Sequence, residues 1–495
     1  MRLGELAQLL AGSRLNGDGS TAILGVQTDH RRVKPGDLFV CIPGQVHDGH
    51  HYAAMAAESG ASALLVERDV EVELPKLFVR DSRQAMGYVA SHAYGYPSRE
   101  LNLIGVTGTN GKTTITFILD HIMTSEQYKT GVMGTIYTKI GHKVVTSERT
   151  TQEALDLQSA LREMCDEGVS YCFMEVSSHA LELGRVKGCR FRTAIFTNLT
   201  QDHLDYHLTM ERYRDAKALL FARLGNDYSP NPQERQFAVL NADDAASDTF
   251  ARVTAVPTIW YGIDQPADVT AHDIRFTLNG TEFHLDTFAG SADVKMKLIG
   301  KFNVYNVLAA VSAALLEQIP LAHIVSALET IEPTDGRMQT VDAGQPYLTL
   351  VDYAHTPDGL ENALRSIREF AGRKVITVFG CGGDRDRTKR PIMGSIATRY
   401  SDFVVVTSDN PRSEDPDFII SEVEQGIVAA GFPSESYVLL PDRREAIEKA
   451  VSMAEPGDVL LIAGKGHEAY QILKDRTIDF DDRLVAAEAI RSLGK

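Results

Sequence analysis

The run Thr107-Gly108-Thr109-Asn110-Gly111-Lys112-Thr113-Thr114 has the residue types needed to hold a polyphosphate. It lies between the apolar stretch Leu101 to Val106 and a helical pattern over Ile115 to Met123. Gly108 and Gly111 let backbone N–H groups approach phosphate oxygens, with Thr109 and Asn110 between them. Lys112 can neutralise the β and γ phosphates, and the Thr113 or Thr114 hydroxyl can ligate Mg²⁺. The strict G-x-x-x-x-G-K-[ST] spacing is missed by one place, because Val106 stands where its first glycine belongs. A plain Gly-rich strand-to-helix turn with a surface lysine shares part of this pattern. Strand, glycines, lysine and paired threonines together favour ATP.

Other residues offer complementary chemistry. Glu175 ends the apolar run Cys172-Phe173-Met174, where a carboxylate can hold Mg²⁺. His203 and His207 have the i,i+4 spacing of a helical zinc pair, but without an H-E-x-x-H frame. His47, His50 and His51 read as a polar loop. Lys217 lies on a helix over Glu211 to Leu224 and, taken alone, reads as a solvated lysine. Asp409-Asn410-Pro411-Arg412 follows an apolar strand, at the sheet edge where α/β folds bind ligands. Pro411 stiffens that turn. Arg412, and in reserve Arg385, offers a planar fork for a carboxylate. Glu468, in Gly464-Lys465-Gly466-His467-Glu468, offers an acceptor for an ammonium. Two arginines and a glutamate suit an amino acid with a second carboxylate and a second amine, as in meso-diaminopimelate, better than lysine.

These groups need a scaffold that places them together. The chain of 495 residues is long enough for about three domains. The first hundred residues open on a short amphipathic helix. Buried strands then follow near Asp37 to Ile42, Ala61 to Glu67 and Leu74 to Val79, with an Ala-rich helix at about 52–59. Strands at Leu101 to Val106, Val169 to Val176, Thr193 to Thr197 and Phe237 to Asn241 alternate with helices, which implies a mostly parallel sheet. Residues 268–298 alternate in hairpin fashion about a turn at Asn279-Gly280 and read as an antiparallel flap. A turn-rich boundary, Glu332-Pro333-Thr334-Asp335-Gly336, precedes strands at Leu348 to Asp352, Lys374 to Phe379, Phe403 to Thr407, Tyr437 to Leu440 and Val459 to Ala463. The expected fold class is α/β in three domains. These are a small N-terminal unit over 1–99, a central P-loop-type ATPase domain with a mostly parallel sheet over 100–332, and a Rossmann-like C-terminal domain over 333–495.

The composition excludes several classes. A net charge of −17 argues against nucleic acid or anionic membrane as the main partner. Five cysteines, odd in number and without a C-x-x-C pair, fit a reducing cytoplasm rather than a disulfide framework. No apolar stretch approaches the length of a membrane span.

Taken together, the motifs resemble the Mur ligases and their folylpolyglutamate synthase relatives, ATP-dependent amide-forming enzymes of three α/β domains. The resemblance spans essentially the whole chain. It rests on TGTNGKTT (107–114), MEVSSHAL (174–181), TNLTQDHLDYH (197–207), GKFNVYN (300–306), DYAHTPD (352–358), FGCGGDRDRTKRP (379–391), SDNPR (408–412) and GKGHE (464–468). It implies acyl-phosphate chemistry on UDP-N-acetylmuramoyl-L-alanyl-D-glutamate, with meso-diaminopimelate as the incoming amine and Mg²⁺ held by Thr113, Glu175, His203 and a carbamylated Lys217. It further implies Asn303, Arg337, Asp352 and His355 at ATP, and Thr28, His30, Thr150, Thr151, Ser177, Leu183 and Arg185 at the sugar–peptide. Here the sequence departs from the family pattern at His30, Arg149, Gln152 and Leu183. The same reaction with L-lysine, a P-loop transport ATPase and a nucleotide-binding regulator are the competing readings. A monomer is expected.

Overall fold

Runs such as Leu103-Ile104-Gly105-Val106 and Val459-Leu460-Leu461-Ile462 carry no polar side chain to turn toward water. They fit only in a sheet covered on both faces. A computed structural model describes residues 1–44, 47–147, 149–225, 231, 234–277, 280–333 and 335–494, and it builds such strands into three main sheets.

The first sheet contains β1 (Arg14–Asn16), β2 (Gly25–Gln27), β3 (Asp37–Val40), β4 (Ala63–Val66) and β5 (Lys76–Phe78). Their order is β1-β5-β4-β3-β2, parallel except for β1. The amphipathic helix is present at Leu3–Leu9 and the Ala-rich helix at Ala53–Glu58. Two three-residue strands, β1 and β2, and the helix Ser82–Ala93 are additions to the sequence reading. Asp81 caps that helix by accepting from the Gln84 N–H.

The second sheet begins with β6 (Asn102–Thr107), β7 (Thr130–Met133), β8 (Tyr137–Ile140), β9 (Lys143–Thr146), β10 (Tyr171–Glu175) and β11 (Thr193–Phe196). It continues with β12 (Phe237–Asn241), β13 (Thr258–Gly262), β14 (Val269–Thr277), β15 (Gly280–Thr287) and β16 (Gly290–Met296). Its order is β16-β15-β14-β13-β12-β11-β6-β10-β7-β8-β9. The seven strands from β14 to β7 run parallel, so β6 lies centrally between β10 and β11. Residues 268–298 form antiparallel hairpins as expected, and they extend this sheet at its edge through the parallel pairing of β14 with β13. Of the expected turn, Asn279 lies outside the described residues, as does Thr334 of the expected boundary. Helix Lys301–Leu316, buried along most of its length, packs over the sheet beside helix Lys112–Ser125.

The third sheet contains β17 (Gln339–Thr340), β18 (Leu348–Asp352), β19 (Val375–Phe379), β20 (Phe403–Thr407), β21 (Tyr437–Leu440) and β22 (Val459–Ala463), in the order β17-β18-β22-β19-β20-β21. All but β17 run parallel. A buried ion pair fixes its carboxyl edge. Arg443 and Asp482 are fully enclosed and 2.7 Å apart, and the same guanidinium donates to the Ala463 carbonyl at 3.0 Å. Arg443→Ala strands the Asp482 carboxylate in the core and is expected to cost about 3–5 kcal/mol. The urea midpoint should fall clearly in Arg443→Ala. In Arg443→Met/Asp482→Leu, which buries no lone charge, it should largely recover.

Candidate active site

The phosphate loop joins β6 to helix Lys112–Ser125, and its shape requires glycine. Gly108 has φ +147, and a Cβ there would lie 1.8 Å from Thr197 Oγ1. Gly111 caps the helix at φ +88. The segment after β11 braces the loop. Thr197 Oγ1 donates to the Asn110 carbonyl at 2.6 Å, and Asn110 N donates to Asn198 Oδ1 at 3.0 Å. Lys112 curls over the loop and donates to the Gly108 and Thr109 carbonyls at 2.9 and 2.7 Å. With Thr109 to Thr114, it lines a cavity of about 790 Å³.

Glu175 enters this cavity from the carboxyl end of β10, in register with Val106. Its carboxylate accepts from Thr113 Oγ1 at 3.0 Å, from Thr135 N at 2.8 Å and from Thr135 Oγ1 at 3.0 Å. A buried carboxylate beside a hydroxyl is a hard oxygen set of the kind that suits Mg²⁺. His203 lines the same cavity and holds a left-handed φ of +55. Burial lowers its imidazole, Asp202 opposes this, and His179, Lys112 and Lys217 lower it further, to about 4. The side chain keeps an open edge, 46% exposed, which screens part of that repulsion, and the ring is neutral at pH 7. His207, which shares the i,i+4 spacing with it, is bonded through Nε2 to Ser178 Oγ at 2.9 Å. His50 is a satisfied core residue, bound to Asp48 and to the Glu67 N–H.

Lys217 is 1% exposed, not solvated. Its Nζ lies 4.4 Å from the Tyr213 ring and donates to the Gly108 carbonyl at 2.9 Å. Burial, then the charge of Lys112, pushes its amine well below the usual lysine range, against the pull of Asp202. The signal for this burial was available in the sequence. Tyr213, Ala216, Leu220 and Phe221 form the apolar stripe of the helix, and Lys217 falls within it.

The third sheet supplies the opposite wall. Arg337, Asp352 and His355 line the phosphate-loop cavity. Asp352 is fixed by the Met338 and Ala354 N–H groups at 2.7 and 2.8 Å, and burial raises its carboxyl. Arg337 stacks over Tyr353 at 4.7 Å, and its buried Nε has no protein partner. His355 donates from Nδ1 to the Tyr353 carbonyl at 2.8 Å, which leaves Nε2 free. Asn303 does not line the cavity. It donates to the Ile299 carbonyl at 2.9 Å, and Asn306, one turn on, faces the cavity instead. Asp358 was missed by sequence reasoning. It accepts from Asn110 Nδ2 at 2.6 Å and from Thr200 Oγ1 at 3.0 Å, joining the two walls.

A second cavity, of about 1420 Å³, is lined by Arg385, Asp409, Asn410, Arg412, Gly464 and Glu468. Pro411 is buried behind it. Asn410 Nδ2 donates to Glu468 Oε2 at 2.8 Å, and its Oδ1 accepts from Lys465 at 3.2 Å. Arg412 Nη1 donates to the Gly383 carbonyl at 2.8 Å, and among the described residues the guanidinium has no carboxylate partner. Asp409 Oδ2 is buried without a hydrogen bond. Arg385 reaches only the Asp384 carbonyl.

The expected sugar–peptide residues divide. Thr150 lines both cavities. Thr151 donates to the Glu175 carbonyl, Ser177 caps the helix Ser178–Glu182 that Leu183 closes, and Arg185 donates to the Thr151 carbonyl. These four form the layer behind Glu175. Thr28 and His30 lie on the first unit and line neither cavity. His30 stacks on Tyr52 with centroids 4.6 Å apart.

Comparison with known proteins places the same three units in the same order. Family models described as "Mur ligase family, catalytic domain", "Mur ligase middle domain" and "Mur ligase, glutamate ligase domain" match residues 22–100, 106–314 and 336–466. The UDP-N-acetylmuramoyl-L-alanyl-D-glutamate--2,6-diaminopimelate ligase of Geobacillus thermodenitrificans is 51% identical over 491 residues, 99% of each chain. The enzyme of the same name from Listeria monocytogenes is 48% identical over 491 residues, again 99% of each. A solved structure of a ligase of that name is 34% identical with a TM-score of 0.71, covering 100% of this chain and 99% of its own.

The loop geometry makes a direct prediction. Gly108→Ala forces a side chain against Thr197 and a disfavoured φ, a strain of about 1–3 kcal/mol. Calorimetric titration should show nucleotide binding about tenfold weaker or worse, with the unfolding temperature lowered by only a few degrees, about what that strain implies. Normal nucleotide affinity would mean that the loop does not cradle phosphate.

Proposed function

The chain belongs to the Mur ligase family, and on that footing we propose that it uses ATP to add meso-diaminopimelate to the D-glutamyl carboxylate of UDP-N-acetylmuramoyl-L-alanyl-D-glutamate, a step in peptidoglycan precursor synthesis. One observation carries the reading beyond likeness. The phosphate-loop cavity and the Arg412 cavity share the lining residues Thr135, Thr150, Asp202, His203, Tyr353 and His355. An activated carboxyl formed against the loop can therefore meet an amine held by the third unit without leaving the cleft.

The chemistry follows from charge. A carboxylate is inert toward amines, so it first attacks the γ-phosphorus of ATP, releasing ADP and forming an acyl phosphate. The amine then attacks the acyl carbon, inorganic phosphate leaves, and an amide remains. Two anions approach in the first step, and Lys112 with the loop N–H groups neutralises the transferring phosphoryl group. Thr113, Glu175, neutral His203 and a carbamylated Lys217 would hold Mg²⁺, which when bound supplies further charge neutralisation. The low affinity of Lys217 for protons supports that modification, because the neutral amine is the form that adds CO₂. Arg337, Asp352 and His355 bind the nucleotide. Thr28, His30, Thr150, Thr151, Ser177 and Arg185 bind or position the sugar–peptide. Residues 1–99, 100–332 and 333–495 act as sugar-binding, ATP-binding and amino-acid-binding domains. No helix among the described residues is long and apolar enough to cross a membrane, and the five cysteines are unpaired. We place the enzyme in the cytoplasm as a monomer. The reading predicts phosphate release that requires ATP, the UDP-dipeptide and the amino acid together. ATP turnover without the other two would oppose it.

Two substitutions probe the assignments. Lys217→Ala should lose activity by about 10²-fold or more, and Lys217→Arg should do no better, since arginine cannot form a carbamate. A small added carboxylate should partly restore Lys217→Ala, whereas an active Lys217→Arg enzyme would rule the carbamate out.

Arg412 decides between amino acids. Lysine lacks the far carboxylate and leaves the half-buried Arg412 guanidinium unpaired, so discrimination of about 10²-fold or more is expected. Arg412→Ala should depress kcat/KM for diaminopimelate severely and narrow its gap to lysine, with ATP binding unchanged. A variant that keeps the full preference would move the role to Arg385.

A further inference from the structure

The outer face of the edge hairpins carries a cluster that the ligase chemistry does not use. Strand alternation turns Ala271, Phe283, Leu285 and Val294 into the core and leaves His272, His284, Asp286 and Asp293 on the opposite face. His272 on β14 pairs directly with His284 on β15, which in turn pairs with Asp293 on β16. The imidazole centroids are 4.7 Å apart.

The ring nitrogens are sorted. His272 Nε2 lies 3.0 Å from Asp286 Oδ2, and His284 Nε2 lies 3.7 Å from Asp286 Oδ1, so both Nε2 atoms converge on one carboxylate. Each Nδ1 is held by a different aspartate: His272 by Asp273 at 3.0 Å and His284 by Asp293 at 2.8 Å. Asp273 reaches its histidine from a left-handed φ of +54, at a break in the β14–β15 register. Ser291 Oγ donates to Asp286 Oδ1 at 2.5 Å. An imidazole oriented by a carboxylate on one nitrogen, with the other aimed at a shared point, is the arrangement by which proteins prepare histidine for a metal. Here it occurs twice around one carboxylate.

We propose that His272, His284 and Asp286 form a surface site for a borderline divalent transition ion of the Zn²⁺ class, with Asp273 and Asp293 orienting the two imidazoles. Two nitrogens and one carboxylate oxygen leave a fourth position for water. The imidazoles select such an ion over Mg²⁺, which prefers an all-oxygen shell. Charge supports the assignment. Three carboxylates, Asp273, Asp286 and Asp293, surround the two imidazoles, while the nearby Lys295 is paired with Glu282 at 3.1 Å. The candidate ligand atoms lie within 4.8 Å of one another, and a tetrahedral ion needs about 3.3 Å between them. Rotation of these partly exposed side chains closes the difference. The bound ion would clip β14 to β15 at the sheet's outer end.

Equilibrium dialysis of the full chain against Zn²⁺, with Mg²⁺ in large excess to occupy oxygen sites, tests the proposal. The parent should retain one zinc per chain more than His272→Gln/His284→Gln. Co²⁺ should give visible absorption bands in the parent that the double variant lacks. Equal zinc stoichiometry in the two proteins, or identical cobalt spectra, would overturn the site. Matching unfolding temperatures in chelator establish that the variant is folded. Should they differ, Asp286→Ala takes its place, with zinc binding expected to weaken at least tenfold and unchanged affinity counting against the site. None of these readouts depends on ligase activity.

Discussion

Two lysines converge on one oxygen. Lys112 and Lys217 both donate to the Gly108 carbonyl at 2.9 Å, so their nitrogens are about 6 Å apart at most. Were both charged, their repulsion would be about 3 kcal/mol or more at an effective dielectric near 20. The structure relieves this in two ways. Glu175 and Asp202 stand nearby as counter-charges to Lys112. Lys217, fully enclosed, sheds its affinity for protons. What remains is a site with concentrated positive charge facing the cleft and a nucleophilic amine behind the loop. On the proposed reading, a polyphosphate would answer the first, and conversion of the amine to a carbamate would answer the second. The glycines and the Thr197–Asn198 brace follow from this, since the shared carbonyl must stay where both lysines reach it.

The same loop also governs how the units meet. The second and third sheets face each other through the carboxyl ends of their parallel strands, which bring β6, β10 and β11 opposite β18, β20 and β22. Asp358, in the first turn of the helix after β18, accepts from Asn110 and Thr200 across that gap. Burial raises its carboxyl, and the Thr200 hydroxyl and the Asn362 and Asn110 amides that bond it oppose the rise. This partly buried carboxylate is best satisfied while Asn110 and Thr200 stay in place, which couples the third unit's position to the phosphate loop. An acyl phosphate needs such a dry, closed cleft.

Much of this was legible because buried parallel strands announce themselves. Val459 to Ala463 and Phe403 to Thr407 are apolar on both faces and were located to the residue. The phosphate loop was legible because glycines, lysine and threonines sit at fixed offsets. β1 and β2 were not, because three residues carry no period. Asn303 and Asn306 lie three apart on one helix, and only packing decides which faces the cleft. Asp358 owes its place to a contact 248 residues away, which no local pattern encodes. Residue type alone reads Lys217 as solvated, although the stripe of Tyr213, Ala216 and Leu220 encloses it.

The pocket proposed for the amino acid is positioned by backbone as much as by long side chains. Asn410 is a hub. Its side chain bonds Glu468, Lys465 and the Ile472 N–H, and its carbonyl accepts from the Gly383 N–H at 2.9 Å. Gly464 leaves room for Asp409, since a Cβ there would approach its Oδ2 to 2.6 Å. Held on both sides, the turn carries Arg412 into a left-handed φ of +53, a conformation that costs a branched or long residue about 1 kcal/mol or more. The strain persists because Arg412 N donates to the Ile472 carbonyl and Nη1 to the Gly383 carbonyl. One edge of the guanidinium is thereby spent on backbone, and among the described residues no carboxylate forms an ion pair with it. A flexible arginine would fold onto the nearest acid, as Arg390 does onto Glu414 and Glu422. Arg412 is held back from that option by its own main chain, which on the proposed reading leaves it available for a carboxylate that arrives with the substrate.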